Sequence, residues 1–222
     1  MATTPIHQIR YKALVDSLLA NFQPVRRLWP VNARLAVWLI LAGGLGAAAV
    51  LRAPRPDLLM KIQSLAYVLE LGAFASASIL AAGLALRSAI PGDEATRSEF
   101  LLIFMVAVVG ISFVLYEPMH AEVSLNSFIR AGWLCMCCTY VLAAPSWLAL
   151  LWAVRRGIPL ASATSGGLIG AAALLFTFSV TRLRCPIDEC LHILTWHVLP
   201  IIVGTIISVL VGFAFLPRRR AK

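Results

Sequence analysis

Charge is scarce in this sequence. Asp, Glu, Lys and Arg make up 13 % of its 222 residues, about half the share of an ordinary soluble domain. Acids are the scarcest, ten in all against nineteen Lys and Arg. The polar segments between apolar runs are about 6–14 residues long, too short for a separate soluble domain. No catalytic nucleophile triad is visible, so that class finds no support. The first apolar run is not expected to be a cleavable signal. Roughly thirty polar and mixed residues precede the first apolar run and no clean small-residue cleavage site follows it, so that run reads as a membrane span.

What is there is hydrophobic, at 60 % of the chain. The apolar residues gather into six runs, roughly 35–51, 58–86, 100–116, 128–154, 160–180 and 190–216. Each is near the ~20 residues needed to cross about 30 Å of hydrocarbon. Runs of this length imply helices rather than a barrel. The expected fold class is therefore all-α: a polytopic membrane protein, a six-transmembrane-helix bundle. Thirteen basic residues fall on the side of the two termini and six on the other, which places both termini in the cytoplasm. The net charge of +9 is then a topology signal and calls for no nucleic acid. Trp29, Trp38, Trp133 and Trp152 fall near expected helix ends, as interfacial aromatics do. Gly43, Gly44 and Gly46, Gly72 with Ser76, and Gly166 with Gly170 are small residues that permit close helix approach.

The chain divides into a cytoplasmic N-terminal segment (1–34), the transmembrane domain (35–216) and a basic cytoplasmic tail (217–222). In the first segment Ile6, Ile9, Ala13, Leu14, Leu18 and Phe22 recur at three- and four-residue steps, which predicts a short amphipathic helix ended by Pro24. Such a helix suits an anionic lipid surface or a groove on a cytoplasmic partner.

Glu70 lies inside the second run, where a charge must face the bundle and be paired or protonated. No second buried charge is evident beside it. The remaining chemistry gathers on the outer side: Glu117 and His120 in one loop, "CMCC" from Cys135 to Cys138 in the fourth span, and "RCPIDECLHILTWH" before the sixth. Three readings compete for the last stretch. Pro186 suits the first position of a helix, with Cys185 as its N-cap and Asp188 and Glu189 in the first turn. Cys190 and His197, seven apart, share a helical face and with His192, His120 and Glu117 form a candidate metal set, though the spacing is no established zinc pattern. A disulfide between the fourth span and the loop joining the fifth and sixth is the third. Cys137 and Cys138 point about 200° and 300° away from Cys135 on a helix, so at most one of the three faces Cys185. Cys135 is nearest the outer boundary, and Cys190 is another candidate partner.

Taken together, "LVDSLLANFQPVRRLWP", six spans, a cysteine in the fourth and "CPIDECLHILTWHVLP" leading into the sixth resemble the NrsF family of bacterial membrane anti-sigma factors. The resemblance covers essentially the whole chain. It implies a protein of the inner membrane that holds an extracytoplasmic-function (ECF) sigma factor through its cytoplasmic N-terminus, with Ile6, Ile9, Leu14, Leu18 and Phe22 as docking residues. The family's two cysteines match Cys135 and Cys185, which become the sensor pair; Cys137, Cys138 and Cys190 are departures. The implied partners are the sigma factor and membrane lipid, with no direct nucleic-acid contact, no cofactor and no enzymatic activity, a soft metal ion or an oxidant serving as signal. A membrane thiol–disulfide oxidoreductase is the alternative, and a small permease the weaker one, since Glu70 stands nearly alone.

Overall fold

Apolar runs can satisfy their backbone polar groups without water only by closing hydrogen bonds within the run. In the computed structural model, which describes residues 5–20, 28–116 and 125–216, they do so as helices, with no strand among the described residues. The order is α1 (Pro5–Ala20), α2 (Val31–Arg52), α3 (Leu58–Lys61), α4 (Leu65–Arg87), α5 (Arg97–Leu115), α6 (Leu125–Arg155), α7 (Ser162–Arg182) and α8 (Cys190–Ile193), then a π-helical turn (Leu194–Val198) leading into α9 (Leu199–Phe215). Six spans are long and apolar enough to cross a membrane: α2, α4, α5, α6, α7 and the continuous 190–215 segment. The all-α, six-span expectation holds.

One expected span is shorter than its apolar run. The 58–86 run breaks into α3, a turn at 62–64, and α4, so Glu70 stands in the second turn of α4 rather than near mid-span. Start signals elsewhere are local. Thr96 accepts from the Glu99 N–H while the Glu99 carboxylate accepts from the Thr96 N–H, a capping box that opens α5.

Burial identifies the axis of the bundle. In the most apolar window of α7, 72 % of residues are buried, against 11 % for α5. Helices α9, α4, α6 and α2 surround α7, and α5 packs outside α4. Leu101, Leu102, Phe104, Met105 and Val109 of α5 are exposed, a surface suited to hydrocarbon. Helices in lipid gain nothing from burying one apolar surface against another, so small residues and interhelical hydrogen bonds hold them together. Gly166 and Gly170 of α7 face Ser208 and Gly212 of α9; a Cβ on Gly166 would stand 2.4 Å from the Ser208 carbonyl oxygen and 2.8 Å from the Gly212 Cα. Ser208 Oγ donates to the Gly166 carbonyl at 2.6 Å and accepts from Trp147 Nε1 at 2.7 Å, which ties α6, α7 and α9 at one point. Ser78 Oγ donates to the Ala172 carbonyl at 2.6 Å and joins α4 to α7.

The other small residues divide. Gly46 approaches α7, where a Cβ would meet Val180 at 2.8 Å, but Gly43, Gly44 and Gly72 face open space and Ser76 is exposed. Trp29, Trp133 and Trp152 are exposed, whereas Trp38 is buried and donates to the Ser146 carbonyl at 3.0 Å, a core contact rather than an interfacial one. Helix α1 forms over the predicted stretch, with Tyr11, Leu14, Val15 and Leu19 exposed. At about 100° per residue Val15 falls about 160° and Leu19 about 120° from Ala13, so apolar positions are not confined to one face of α1.

The two classes of glycine should respond oppositely to a methyl group. Gly166→Ala should lower the thermal midpoint of the detergent-solubilised protein, because the α7–α9 backbones must separate. Gly43→Ala should be neutral or stabilise by up to about 1 kcal/mol, the helix-propensity difference.

Candidate functional site

Pro200 sets the geometry of the last span. It has no N–H to offer the Trp196 carbonyl, and its ring crowds that carbonyl in a regular α-helix. The chain widens into the π turn instead, and the Leu199 N–H bonds to the Leu194 carbonyl, five residues back. In such a turn residues five apart lie over one another. His192 and His197, pointed apart by α-helical spacing, thus come together with ring centroids 5.5 Å apart. Phe128 meets the edge of His192 at 6.2 Å and Phe178 that of His197 at 6.2 Å, so α6 and α7 each hold one ring.

Two thiols complete the group. Cys135 Sγ of α6 lies 3.6 Å from Cys185 Sγ in the 183–189 loop, and Cys185 Sγ lies 3.6 Å from His192 Nε2. One ligand atom from each of Cys135, Cys185, His192 and His197 falls within 4.8 Å of all the others. Cys185, His192 and His197 are buried and Cys135 half-buried. The hydrogen bond from Cys135 holds the Cys185 thiol well below its ordinary pKa; burial opposes this, and His192 and His197 add to it. A cavity of about 290 Å³, lined by Cys135, Cys138, Thr181, Arg184, Cys185 and His197 among others, opens onto the sulfurs. Trp196 lies across α6 at Gly132, where a Cβ would stand 2.0 Å from the indole, so this glycine is the seat for the ring.

Beside the cluster runs a network of buried charge. Arg182, the last residue of α7, is fully buried and pairs with Glu70 of α4 at 2.7 Å and with Asp188 at 2.9 Å. Asp188 also accepts from Arg55 at 2.7 Å and Lys61 at 2.7 Å, and Arg55 donates to Asp57 at 2.7 Å. Tyr67 donates to the Arg182 carbonyl at 2.8 Å, and its ring lies 5.4 Å from the Arg182 guanidinium and 5.6 Å from that of Arg55. Three cations face three anions, so the network is neutral. Burial opposes the charged form of Asp188, but hydrogen bonds from Arg55 and Lys61 and the charge of Arg182 hold its carboxyl far below the usual range. Arg55 is buried too, yet Asp188 and Asp57 raise its pKa above the ordinary guanidinium value.

Several expectations change. Glu70 does have a charged partner, Arg182 at the end of α7, 112 positions away. Residues 183–189 form a loop and α8 starts at Cys190, so Cys185 is no N-cap and Asp188 serves as an anchor between loops. Cys190 is fully buried but stands outside the four-residue group, because the π turn pairs His197 with His192 in its stead. All five cysteines are free thiols, Cys137 and Cys138 being half-buried. Glu117, His120 and Phe22 lie outside the described residues, as do the side chains of Ile6, Ile9 and Leu18 and the 217–222 tail. Arg55, Lys61, Tyr67 and Arg182 went unforeseen as site neighbours; the one available signal was that a lone Glu70 in a span demands a cation.

The fold is thus a bundle of six helices long and apolar enough to cross a membrane, carrying a thiol–imidazole cluster beside the end of α7. The narrower assignment comes from a family model described as NrsF, negative regulator of sigma F: it matches residues 18–217, and the chain belongs to that family. Its partner is accordingly a sigma factor. No curated protein and no solved structure matches the chain.

Breaking the buried ion pair from one side should cost more than removing it. Arg182→Met strands Glu70 and should destabilise the bundle by about 3–5 kcal/mol. The double variant Glu70→Met/Arg182→Met should recover part of that loss in denaturant titrations of the micellar protein.

Proposed function

We propose that this negative regulator is an anti-sigma factor of the bacterial inner membrane. It sequesters an ECF sigma factor on its cytoplasmic N-terminal segment, and releases it when Cys135 and Cys185 meet an oxidant or a soft metal ion on the outer side. The observation that carries the reading is the 3.6 Å approach of Cys135 and Cys185 in a chain of this family.

The chemistry follows from a thiol of lowered pKa beside a second thiol. The Cys185 thiolate attacks a hydroperoxide oxygen, breaks the O–O bond and becomes a sulfenic acid as the alcohol leaves. Cys135, deprotonated, then attacks that sulfur, and hydroxide leaves as water once protonated. Two thiols and one hydroperoxide thus give a disulfide, an alcohol and water. A soft metal ion bridging the same two sulfurs supplies the equivalent signal. Disulfide formation closes the 3.6 Å gap and draws α6 toward the 183–189 loop, whereas a metal ion would lock the two sulfurs near their present separation. Asp188, three residues beyond Cys185, is anchored to Arg182 at the end of α7, so displacement of the loop loads the central helix. That helix runs to the end of the bundle where the N-terminal segment enters. Release of the sigma factor requires two arrangements of the bundle a few kcal/mol apart, which the state of the thiols biases.

Cys135→Ser and Cys185→Ser should each leave a sigma-dependent reporter uninduced by hydroperoxide, with the factor still held; unchanged induction in both variants would remove the thiols from the mechanism. Leu14 is exposed on α1. Leu14→Asp in the full chain should abolish co-purification of the sigma factor and switch the reporter on constitutively. Retained co-purification would move the docking site to the loops at 88–96 and 156–161.

A further inference from the structure

We infer that Cys135, Cys185, His192 and His197 form a tetrahedral S2N2 site for a zinc ion. The inference rests on the geometry of these four side chains and stands whether or not the chain senses through them.

Edge lengths come first. With Zn–S of about 2.3 Å and Zn–N of about 2.0 Å, a tetrahedron has an S–S edge near about 3.8 Å and an S–N edge near about 3.5 Å. The corresponding separations here are 3.6 Å between the sulfurs and 3.6 Å from Cys185 Sγ to His192 Nε2. All four donor atoms fall within 4.8 Å of one another. Two thiolates would neutralise a divalent cation, which suits a cluster whose two imidazoles and Cys185 are buried. The adjacent charge network pairs its three cations with three anions and leaves the four donor groups outside those ion pairs.

The second observation is the tautomer of His197. Thr181 Oγ1 lies 3.0 Å from the Thr177 and Phe178 carbonyls, and its hydrogen goes to them. Its oxygen is then left to accept from His197 Nδ1 at 3.2 Å. The proton of the neutral ring therefore sits on Nδ1, and Nε2 carries the lone pair. That Nε2 is fully buried and has no hydrogen-bond partner. An imidazole fixed through one nitrogen, with the other bare, in a group whose donor atoms lie within 4.8 Å of one another, is the arrangement of a metal-ligating histidine. The cavity beside Cys135, Cys185 and His197 gives an ion a way in. Because a disulfide would use both sulfurs, the zinc-bound and disulfide states exclude one another.

The test uses the full chain in detergent, reduced and stripped with chelator, then titrated with Co²⁺ as the spectroscopic probe and afterwards with Zn²⁺. One equivalent of Co²⁺ should produce the intense d–d bands and sulfur-to-cobalt charge transfer of a tetrahedral thiolate site, and one equivalent of Zn²⁺ should bleach them. His192→Ala and His197→Ala should each weaken zinc binding by more than about 100-fold. Thr181→Val should weaken it about 10–100-fold, as loss of a partner outside the coordination sphere does. Cys190→Ser should leave it unchanged. Absence of tetrahedral bands in the unsubstituted protein overturns the site without reliance on any variant. Bands that persist unaltered in both histidine variants, or that vanish in Cys190→Ser, overturn the ligand assignment.

Discussion

The fold is organised around one guanidinium. Arg182 terminates the central helix with no exposure to solvent, and a cation there is tolerable only because Glu70 and Asp188 meet it from two directions. Glu70 brings α4 to the end of α7. Asp188 brings the 183–189 loop, and through Arg55 and Lys61 it also brings the segment between α2 and α4. Tyr67 closes the remaining side by bonding to the Arg182 carbonyl and lending its ring to both arginines. Two stretches of chain, 55–70 and 182–188, are thereby fixed at one point although 112 positions separate Glu70 from Arg182.

That fixation places the cluster. Cys185 lies three residues from each of Arg182 and Asp188, so its backbone is tethered on both sides. It faces Cys135 because α6 lies against α7, a contact supported at the other end of the bundle by the Trp147–Ser208–Gly166 bonds. The apolar interior supplies rigidity, while the few polar groups decide which side chains meet. In a bundle where each interhelical hydrogen bond is worth about 0.6–1.7 kcal/mol, an arrangement held by many such bonds and one neutral charge network is stable yet adjustable.

The spans were legible in the sequence because hydrocarbon thickness imposes a run length that composition reveals directly. That Cys135 lies near the outer boundary could be counted in residues, but the choice of Cys185 over Cys190 as its neighbour came from the family resemblance; in the structure the sulfurs of Cys135 and Cys185 stand 3.6 Å apart. Glu70's partner was hidden because Arg182 sits where a flanking arginine belongs in a topology count, and 112 positions separate the two. The cation demanded by a buried carboxylate had no address in a one-dimensional reading. The two histidines were hidden by the assumption of an unbroken 3.6-residue period. Pro200, plainly present in "WHVLP", was the residue that broke it.

The π turn has a consequence for the whole sixth span. One added residue in a helix rotates everything before it by about 100° relative to everything after it. From His197 in the turn downward, Ile201, Ser208 and Gly212 are also buried, and the four form the stripe that faces the bundle. Continued upward without interruption, the same stripe would leave His192 roughly 140° off the bundle side. The turn therefore acts as a phase shifter between a packing half and a chemical half of one helix. A proline eight positions away decides whether His192 points into the protein or out toward lipid.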